Sequence, residues 1–352
     1  MSRNFVDFGL KIREDKSRNY YSIWHNLKTV RLDLGPEIAL EPGLSEFYDV
    51  GLGTKCNLSC PFCYVSAGSG GEFWNNPSET WKAWMSTLPG DVIVDPKNTD
   101  DELIKELLGP MLKTDSVEVK EIKLIARIMR KLNKPIIKTS KPFQIAIGST
   151  MEPTIHPDFC KFLETVYDTG VVPNATTNGL TLSNYDDSGC RKLLEAIDNF
   201  CGGIAVSYGN KSVREQARKA VENLRKYTGV KVVIHHIISD NASVDEFIHL
   251  AKDYGSDLHY HVLLPLMKHG RAQEQMTDEA YLYLTDQIKE NGIENIAVGA
   301  NFAGWMKKYP GRINVYEYPS ETYSKNILLK DGKVIITPSS FNLNPIQEII
   351  VK

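Results

Sequence analysis

Cys56, Cys60 and Cys63 fall within eight residues of one another in the string Lys55-Cys56-Asn57-Leu58-Ser59-Cys60-Pro61-Phe62-Cys63-Tyr64, a C-x3-C-x2-C spacing with an aromatic residue before the last thiol. Thiols clustered in this way signal metal or redox chemistry rather than a disulfide framework. Three thiolates on one compact loop can hold three corners of a cubane iron-sulfur cluster and leave one iron without a protein ligand, an open position for chemistry. A structural zinc site is the alternative. Zinc of that kind takes four protein ligands, and no fourth Cys or nearby His completes the set at knuckle spacing, so only distant histidines would close it. Cys160, Cys190 and Cys201 are scattered along the chain and read as small buried hydrophobes.

The elements that must carry this loop are short apolar runs alternating with helix-period segments. Strands are expected over Phe47 to Leu52, Phe143 to Ile147, Val171 to Ala175, Gly203 to Ser207, Val230 to Ile238 and His259 to Leu264, several of them apolar enough to be covered on both faces. Between them, Ile122, Ile125, Met129 and Leu132 keep one helical face, as do Val244, Phe247, Ile248 and Ala251 after a Ser243 cap. Strand, helix, strand, repeated, means parallel pairing through right-handed crossovers. The fold class expected is therefore α/β: six units curving into a partial (β/α)6, TIM-like barrel that stays open. The cysteine loop directly follows the first strand, and active sites in such folds sit at the C-terminal strand ends.

Three segments lie outside the repeat. Residues 1–45 form an N-terminal extension with strand-like patches at Asn19 to Trp24 and Thr29 to Leu32. An insertion at about 65–116, before a first crossover helix near Val117, carries Phe73, Trp74, Trp81 and Trp84, and reads equally as a substrate lid or as a subdomain packed on its own aromatics. After a core of 46–272, the extension 273–352 has a helix around Glu279 to Glu290 and a hairpin from Asn326 to Ile336 turning at Asp331-Gly332. By strand alternation one of His235 and His236 must face the barrel lumen, and His259 and His261 share a face. His236 and His261 are the candidate substrate-pocket residues, with a histidine satisfied inside the barrel wall as the plainer alternative.

Composition limits the partners. The chain has 352 residues, 41 Lys+Arg against 44 Asp+Glu for a formal charge of −3, and 42% hydrophobic residues. That is an ordinary folded protein without the broad positive field of a general nucleic-acid binder, and it leaves room for a local nucleic-acid contact only. No uncharged apolar run approaches the roughly 18 residues of a membrane span, and the opening MSRNFVDFGLKIRED is too charged for a signal peptide, so a cytoplasmic location is expected.

With its cysteine loop after the first strand of such a repeat, the chain resembles the radical S-adenosylmethionine (radical SAM) superfamily over about residues 46–272. The resemblance implies a [4Fe-4S] cluster on Cys56, Cys60 and Cys63 whose open iron chelates SAM. Reductive cleavage of SAM would then give a 5′-deoxyadenosyl radical that abstracts hydrogen from a substrate. It further implies SAM contacts at Phe62, at Thr150 and Glu152 (Thr150-Met151-Glu152-Pro153 stands where the family has Gly-Gly-Glu-Pro), at Asn178 in Thr-Thr-Asn-Gly, at Ser207 and Arg214 for ribose and carboxylate, and at Asn241 and Leu264 near the adenine. Lys268-His269-Gly270-Arg271-Ala272 looks like the Gly-Arg-Ala that closes the sixth unit.

The residues after 272 contain no cysteine, and Asn326 to Ser340 resembles the strand pair of an auxiliary-cluster extension with Ser339 or Ser340 near a cysteine position. A single-cluster enzyme is expected. Its substrate would be a small molecule or nucleoside-type group such as a modified base, changed by rearrangement or group transfer as an isomerase or transferase would. The alternatives are peptide or protein modification and, in a different class, a non-catalytic metal-binding scaffold. An external electron donor such as flavodoxin or ferredoxin is also implied.

Overall fold

In the computed structural model, which describes residues 8–15, 20–33, 46–98, 101–313, 324–339 and 342–351, apolar alternation sorts the chain into two sheets. The smaller begins as an antiparallel meander of β1 (Leu10–Asp15), β2 (Tyr20–His25) and β3 (Lys28–Asp33). The chain then crosses to the larger sheet for β4 (Phe47–Gly51) and α1 (Pro77–Ser86), and returns with β5 (Val92–Val94), α2 (Glu102–Leu108), α3 (Val117–Lys131) and β6 (Ile136–Lys138). The strand order is β3-β2-β1-β6-β5, with β1 and β6 parallel. Its core joins Leu10, Ile12 and Ile23 to Ile122, Ala126 and Met129 of α3.

Two expectations change here. The helix near Val117 is not the first crossover of the large sheet, because its apolar face is used by the N-terminal strands. That crossover is α1, and the insertion's tryptophans are core residues rather than a lid. Trp81 and Trp84 are buried against Phe162 and Tyr48, and the Trp81 indole donates to Thr169 Oγ1 at 2.9 Å. Asn19 and Ser340 lie outside the described residues.

The larger sheet continues through β7 (Gln144–Ile147), α4 (Phe159–Asp168), β8 (Val172–Thr177), α5 (Ser188–Phe200), β9 (Gly203–Ser207), α6 (Arg214–Tyr227), β10 (Lys231–Ile238), α7 (Asn241–Tyr254) and β11 (Tyr260–Pro265). After these come α8 (Asp278–Glu290), β12 (Ile296–Val298), α9 (Ala303–Lys308), β13 (Ser324–Lys330), β14 (Lys333–Thr337) and β15 (Gln347–Ile350). Its order is β12-β11-β10-β9-β8-β7-β4-β13-β14-β15. The six strands expected from the sequence stand side by side in chain order, all parallel. Beyond them β12 lies parallel to β11 and β13 parallel to β4, so the outer edges of the six are taken and the described strands form no closed sheet. In the hairpin of β13 and β14, Asp331 and Gly332 both have positive φ, 51° and 84°, as a two-residue turn of that hand requires.

Helices cover one face of this sheet. Phe159, Phe162, Leu163 and Val166 of α4, and Ala217, Ala220, Val221 and Leu224 of α6, keep i, i+3, i+4, i+7 spacing and are buried. Strand burial alternates accordingly. Val232, Ile234, His236 and Ile238 of β10 are buried, while Val233, His235 and Ile237 are only partly so. The expectation of cover on both faces therefore fails for β10 and β11, whose second face is partly open. The cap of α7 also differs from the sequence reading. Asp240 is the N-cap and Ser243 its third-position partner, each side chain bonding the other's backbone N–H.

Candidate functional site

The cysteine loop leaves β4 and folds back on itself. Cys56 N–H donates to Gly68 O at 3.0 Å, Thr54 N–H to Glu72 O at 2.8 Å and Trp74 N–H to Leu52 O at 2.9 Å. A Cβ on Gly71 would stand 2.3 Å from Thr54 O, so the return strand needs glycine there. Within the loop, Cys63 N–H donates to Cys60 O at 3.2 Å and Leu58 N–H reaches Cys56 Sγ at 3.4 Å. All three cysteines are half-buried and unpaired by disulfide. Burial pushes the Cys56 thiol up to about 11 and the Cys60 thiol upward, so uptake of a metal would release protons.

A second segment clamps this loop from beyond β11. Arg271 donates from Nε to Cys60 O at 2.8 Å, from a terminal nitrogen to Ala67 O at 2.7 Å, and from its backbone N–H to Cys63 O at 3.0 Å. The residue before it must be glycine. Gly270 has φ +59°, and a Cβ there would meet Tyr64 O at 2.3 Å and Cys63 O at 2.4 Å. His269 Nδ1 lies 2.9 Å from Tyr64 O. The Gly-Arg pair noted in the sequence thus closes the site as well as the sixth unit.

The other residues expected to contact SAM are not all drawn to one place. Thr150 and Glu152 follow β7 and Asn178 follows β8, and these are drawn together. The Glu152 carboxylate is buried, with Oε1 accepting from Thr154 N, Thr154 Oγ1 and Thr177 Oγ1 at 3.2, 2.6 and 2.7 Å and Oε2 from Asn178 N at 2.7 Å. Burial pushes its pKa up while the four donors oppose that. Glu152 is thereby the organiser of two strand-end turns. At positions 150 and 151, where the resemblance has glycines, this chain carries side chains that turn into the protein. Thr150 turns inward, donating to Gly53 O at 2.6 Å opposite Gly51, where a Cβ would stand 2.4 Å from its hydroxyl, and Met151 is buried. Ser207 ends β9 on the partly open face, paired with His235, and Leu264 lies on that face of β11.

Phe62 and Arg214 line a cleft beside the cysteine loop with Tyr208, His236, Ser239 and Glu246. The Arg214 guanidinium is already ion-paired with Glu246 and lies 5.8 Å from the Tyr208 ring centre. Asn241 is the first residue of α7 and is exposed.

His236 and His261 are not on the open face. Both are buried under α7 against Phe247, at 5.1 and 6.0 Å between ring centres, and His236 Nε2 lies 2.9 Å from His261 Nδ1. Pairing of His236 with Leu263 and of Ile234 with His261 puts the two rings on one diagonal of the helix-covered side, and His235 takes the other. Of the two, His236 lines the cleft and His261 does not. Cys190 and Cys201 are buried, and Cys160 packs partly buried against the core.

Sequence reading missed Asn210. It follows β9 and donates from Nδ2 to Cys60 Sγ at 3.2 Å, while its Oδ1 accepts from Ser212 N–H at 3.0 Å. The signal was present, since Asn-Lys-Ser after a strand is the composition of an Asx turn.

Among the described residues, no three His, Cys, Asp or Glu side chains converge on one point as ligands of a single ion would. A cubane cluster instead binds each thiolate on a different iron, and three thiols on one loop with N–H donors to two of the sulfurs fit that group. Among the described residues no helix is long and apolar enough to cross a membrane.

No family model and no curated protein matches the chain. Solved structures do. SuiB of Streptococcus suis, in a crystal structure with its precursor peptide SuiA, aligns with a TM-score of 0.50 at 12% identity, covering 83% of this chain and 59% of SuiB. This chain therefore spans about three fifths of the length of that protein, and the two share a mixed α/β fold. A radical SAM methyltransferase of Sphaerobacter thermophilus (TM-score 0.40, 13% identity, 79% of this chain and 68% of that one) and TYW1 with a lysine-pyruvate adduct (0.38, 15%, 69% and 71%) align more loosely.

Proposed function

We propose that this chain is a radical SAM enzyme, its residues 46–272 a partial (β/α)6 barrel core flanked by the 1–45 and 273–352 extensions. The observation that carries this reading is the cysteine loop at the C-terminal end of a parallel strand, clamped by Gly270-Arg271 from the far end of the six-strand run. Cys56, Cys60 and Cys63 would hold the [4Fe-4S] cluster. With SAM bound, that pair supplies one-electron cleavage of the sulfonium to a 5′-deoxyadenosyl radical. The chain's own part is to orient and exclude water. Phe62 and the backbone around Thr150 would border the SAM, Asn178 and Ser207 its edges, and Asn241 and Leu264 the adenine end. Arg214 would have to leave Glu246 to take the carboxylate, whereas Glu152, spent on Thr154, Thr177 and Asn178, would act by holding the turns in place.

The substrate we infer is a small molecule or nucleoside-type group, including a modified base, converted by an isomerase-type rearrangement or a transfer. The one clustered set of cysteines in this sequence, Cys56, Cys60 and Cys63, is the basis for reading one cluster on it. A peptide substrate is the second reading, and the fold likeness to SuiB, which holds its precursor peptide, favours it. A flavodoxin or ferredoxin would deliver the electron. The test is anaerobic reconstitution with iron and sulfide, then assay of 5′-deoxyadenosine with nucleoside and peptide pools offered separately. An iron-sulfur signature with SAM cleavage raised by one pool supports the reading and names the class. Stable zinc with intact SAM would mean a non-catalytic scaffold instead.

A further inference from the structure

An asparagine side chain has an acceptor end and a donor end, and whatever occupies one fixes where the other points. Asn210 accepts on Oδ1 from both Ser212 N–H, at 3.0 Å, and the Ser212 hydroxyl, at 2.8 Å. Its Nδ2 is thereby turned onto Cys60 Sγ at 3.2 Å. Asn178 is built the same way at the next strand end, with Oδ1 accepting from Leu180 N–H at 3.1 Å. Its Nδ2 donates to Asn57 Oδ1 at 2.7 Å and reaches Cys56 Sγ only at 3.9 Å, the long end of an N–H···S contact. Of these two locked asparagines, Asn210 makes the shorter contact to a sulfur.

Reduction adds negative charge to a cluster and its thiolates, and a fixed N–H donor on one sulfur stabilises the more negative state. We propose that Asn210 is a positioning residue that holds the Cys60 thiolate through an N–H···S bond and raises the reduction potential of the cluster carried by the loop. The proposal rests on the functional reading above. The electron comes from an external one-electron donor and remains on the cluster, and no proton moves.

Asn210→Ala is the decisive variant, because it removes the amide donor without adding charge, while Asn210→Asp keeps the oxygen that caps Ser212 but sets an anion beside the sulfur that lowers the midpoint by itself. Full-length wild type, Asn210→Asp, Asn210→Ala, Ser212→Ala and the remote control Asn184→Ala are reconstituted anaerobically with iron and sulfide, and midpoint potentials are read by electron paramagnetic resonance during dithionite titration. The expected result is a midpoint more negative than wild type for Asn210→Asp and Asn210→Ala, beyond the spread between wild type and control, with Ser212→Ala shifted less. An Asn210→Ala midpoint equal to that of wild type overturns this inference, whatever Asn210→Asp does, and leaves the functional reading standing, whereas a wild type that takes up no cluster overturns both. Should Asn210→Ala hold no cluster, the potential of Ser212→Ala decides.

Discussion

The cysteine loop after β4 and the histidine pair within β10 and β11 are two gatherings of ligand-type side chains on the larger sheet, and they differ in what surrounds them. Cys56, Cys60 and Cys63 are half-buried on a loop whose backbone is held by Arg271, and the sulfurs of Cys56 and Cys60 receive donors. His236 and His261 are buried beneath α7 with only His236 lining the cleft, share a hydrogen bond with each other, and pack edge-on to Phe247. Residue type nominates both, but access and a rigid frame are what separate a place for chemistry from a piece of core.

The largest effect should come from Cys60→Ala. Iron and sulfide measured after anaerobic reconstitution should fall to background, while chemical denaturation changes by less than about 1 kcal/mol because the thiol is half-exposed. Replacing both histidines, His236→Leu with His261→Leu, should do the reverse and leave iron content untouched. A fall in iron there would break the contrast. Next in size is Gly270→Ala, which forces a Cβ onto Tyr64 O and Cys63 O and takes a residue at φ +59° out of glycine's range. It should cost about 1–3 kcal/mol and slow cluster uptake, both measurable on the same preparations. Arg271→Ala should cost about 1–3 kcal/mol locally, read as faster amide hydrogen exchange across 56–68 in metal-free protein.

Acid should separate the two regions further. Burial lowers the pKa of His261 to about 4 and that of His236 well below its ordinary value. The folded chain therefore binds fewer protons than the unfolded one once pH drops below about 6.5, the unfolded value. The stability contributed by keeping these rings neutral is complete above that pH and is lost as pH falls towards 4, at up to about 1.4 kcal/mol per pH unit per histidine. Denaturation curves between those limits should flatten in the double histidine variant. The smallest change expected is Ser243→Ala, which removes half of the capping box on the helix over the pair and should lower stability by about 0.5–1 kcal/mol in thermal melts.

The parallel strands were legible because each is a run of β-branched and apolar residues bounded by turn residues, and the cysteine loop because its spacing has few competing explanations. The assignment of α3 was not legible, since an amphipathic helix shows that it has a partner without showing which sheet. β12 is three partly exposed residues and carries too little pattern to announce a strand. Alternation required His235 and His236 to oppose each other, but which one faced the helices depended on α7 packing through Phe247. The Gly270-Arg271 clamp and the Asn210 contact join residues more than 100 positions apart, a link that local spacing does not encode.

β13 lies along the free side of β4, the strand that runs straight into the cysteines. The C-terminal strands therefore act as a splint on the stem of the chemical centre. Trimming away 324–351 would bare Val50 and Gly51 along one side, a few residues upstream of the first thiol, so a shortened protein should lose its grip on iron even though every ligand is still encoded.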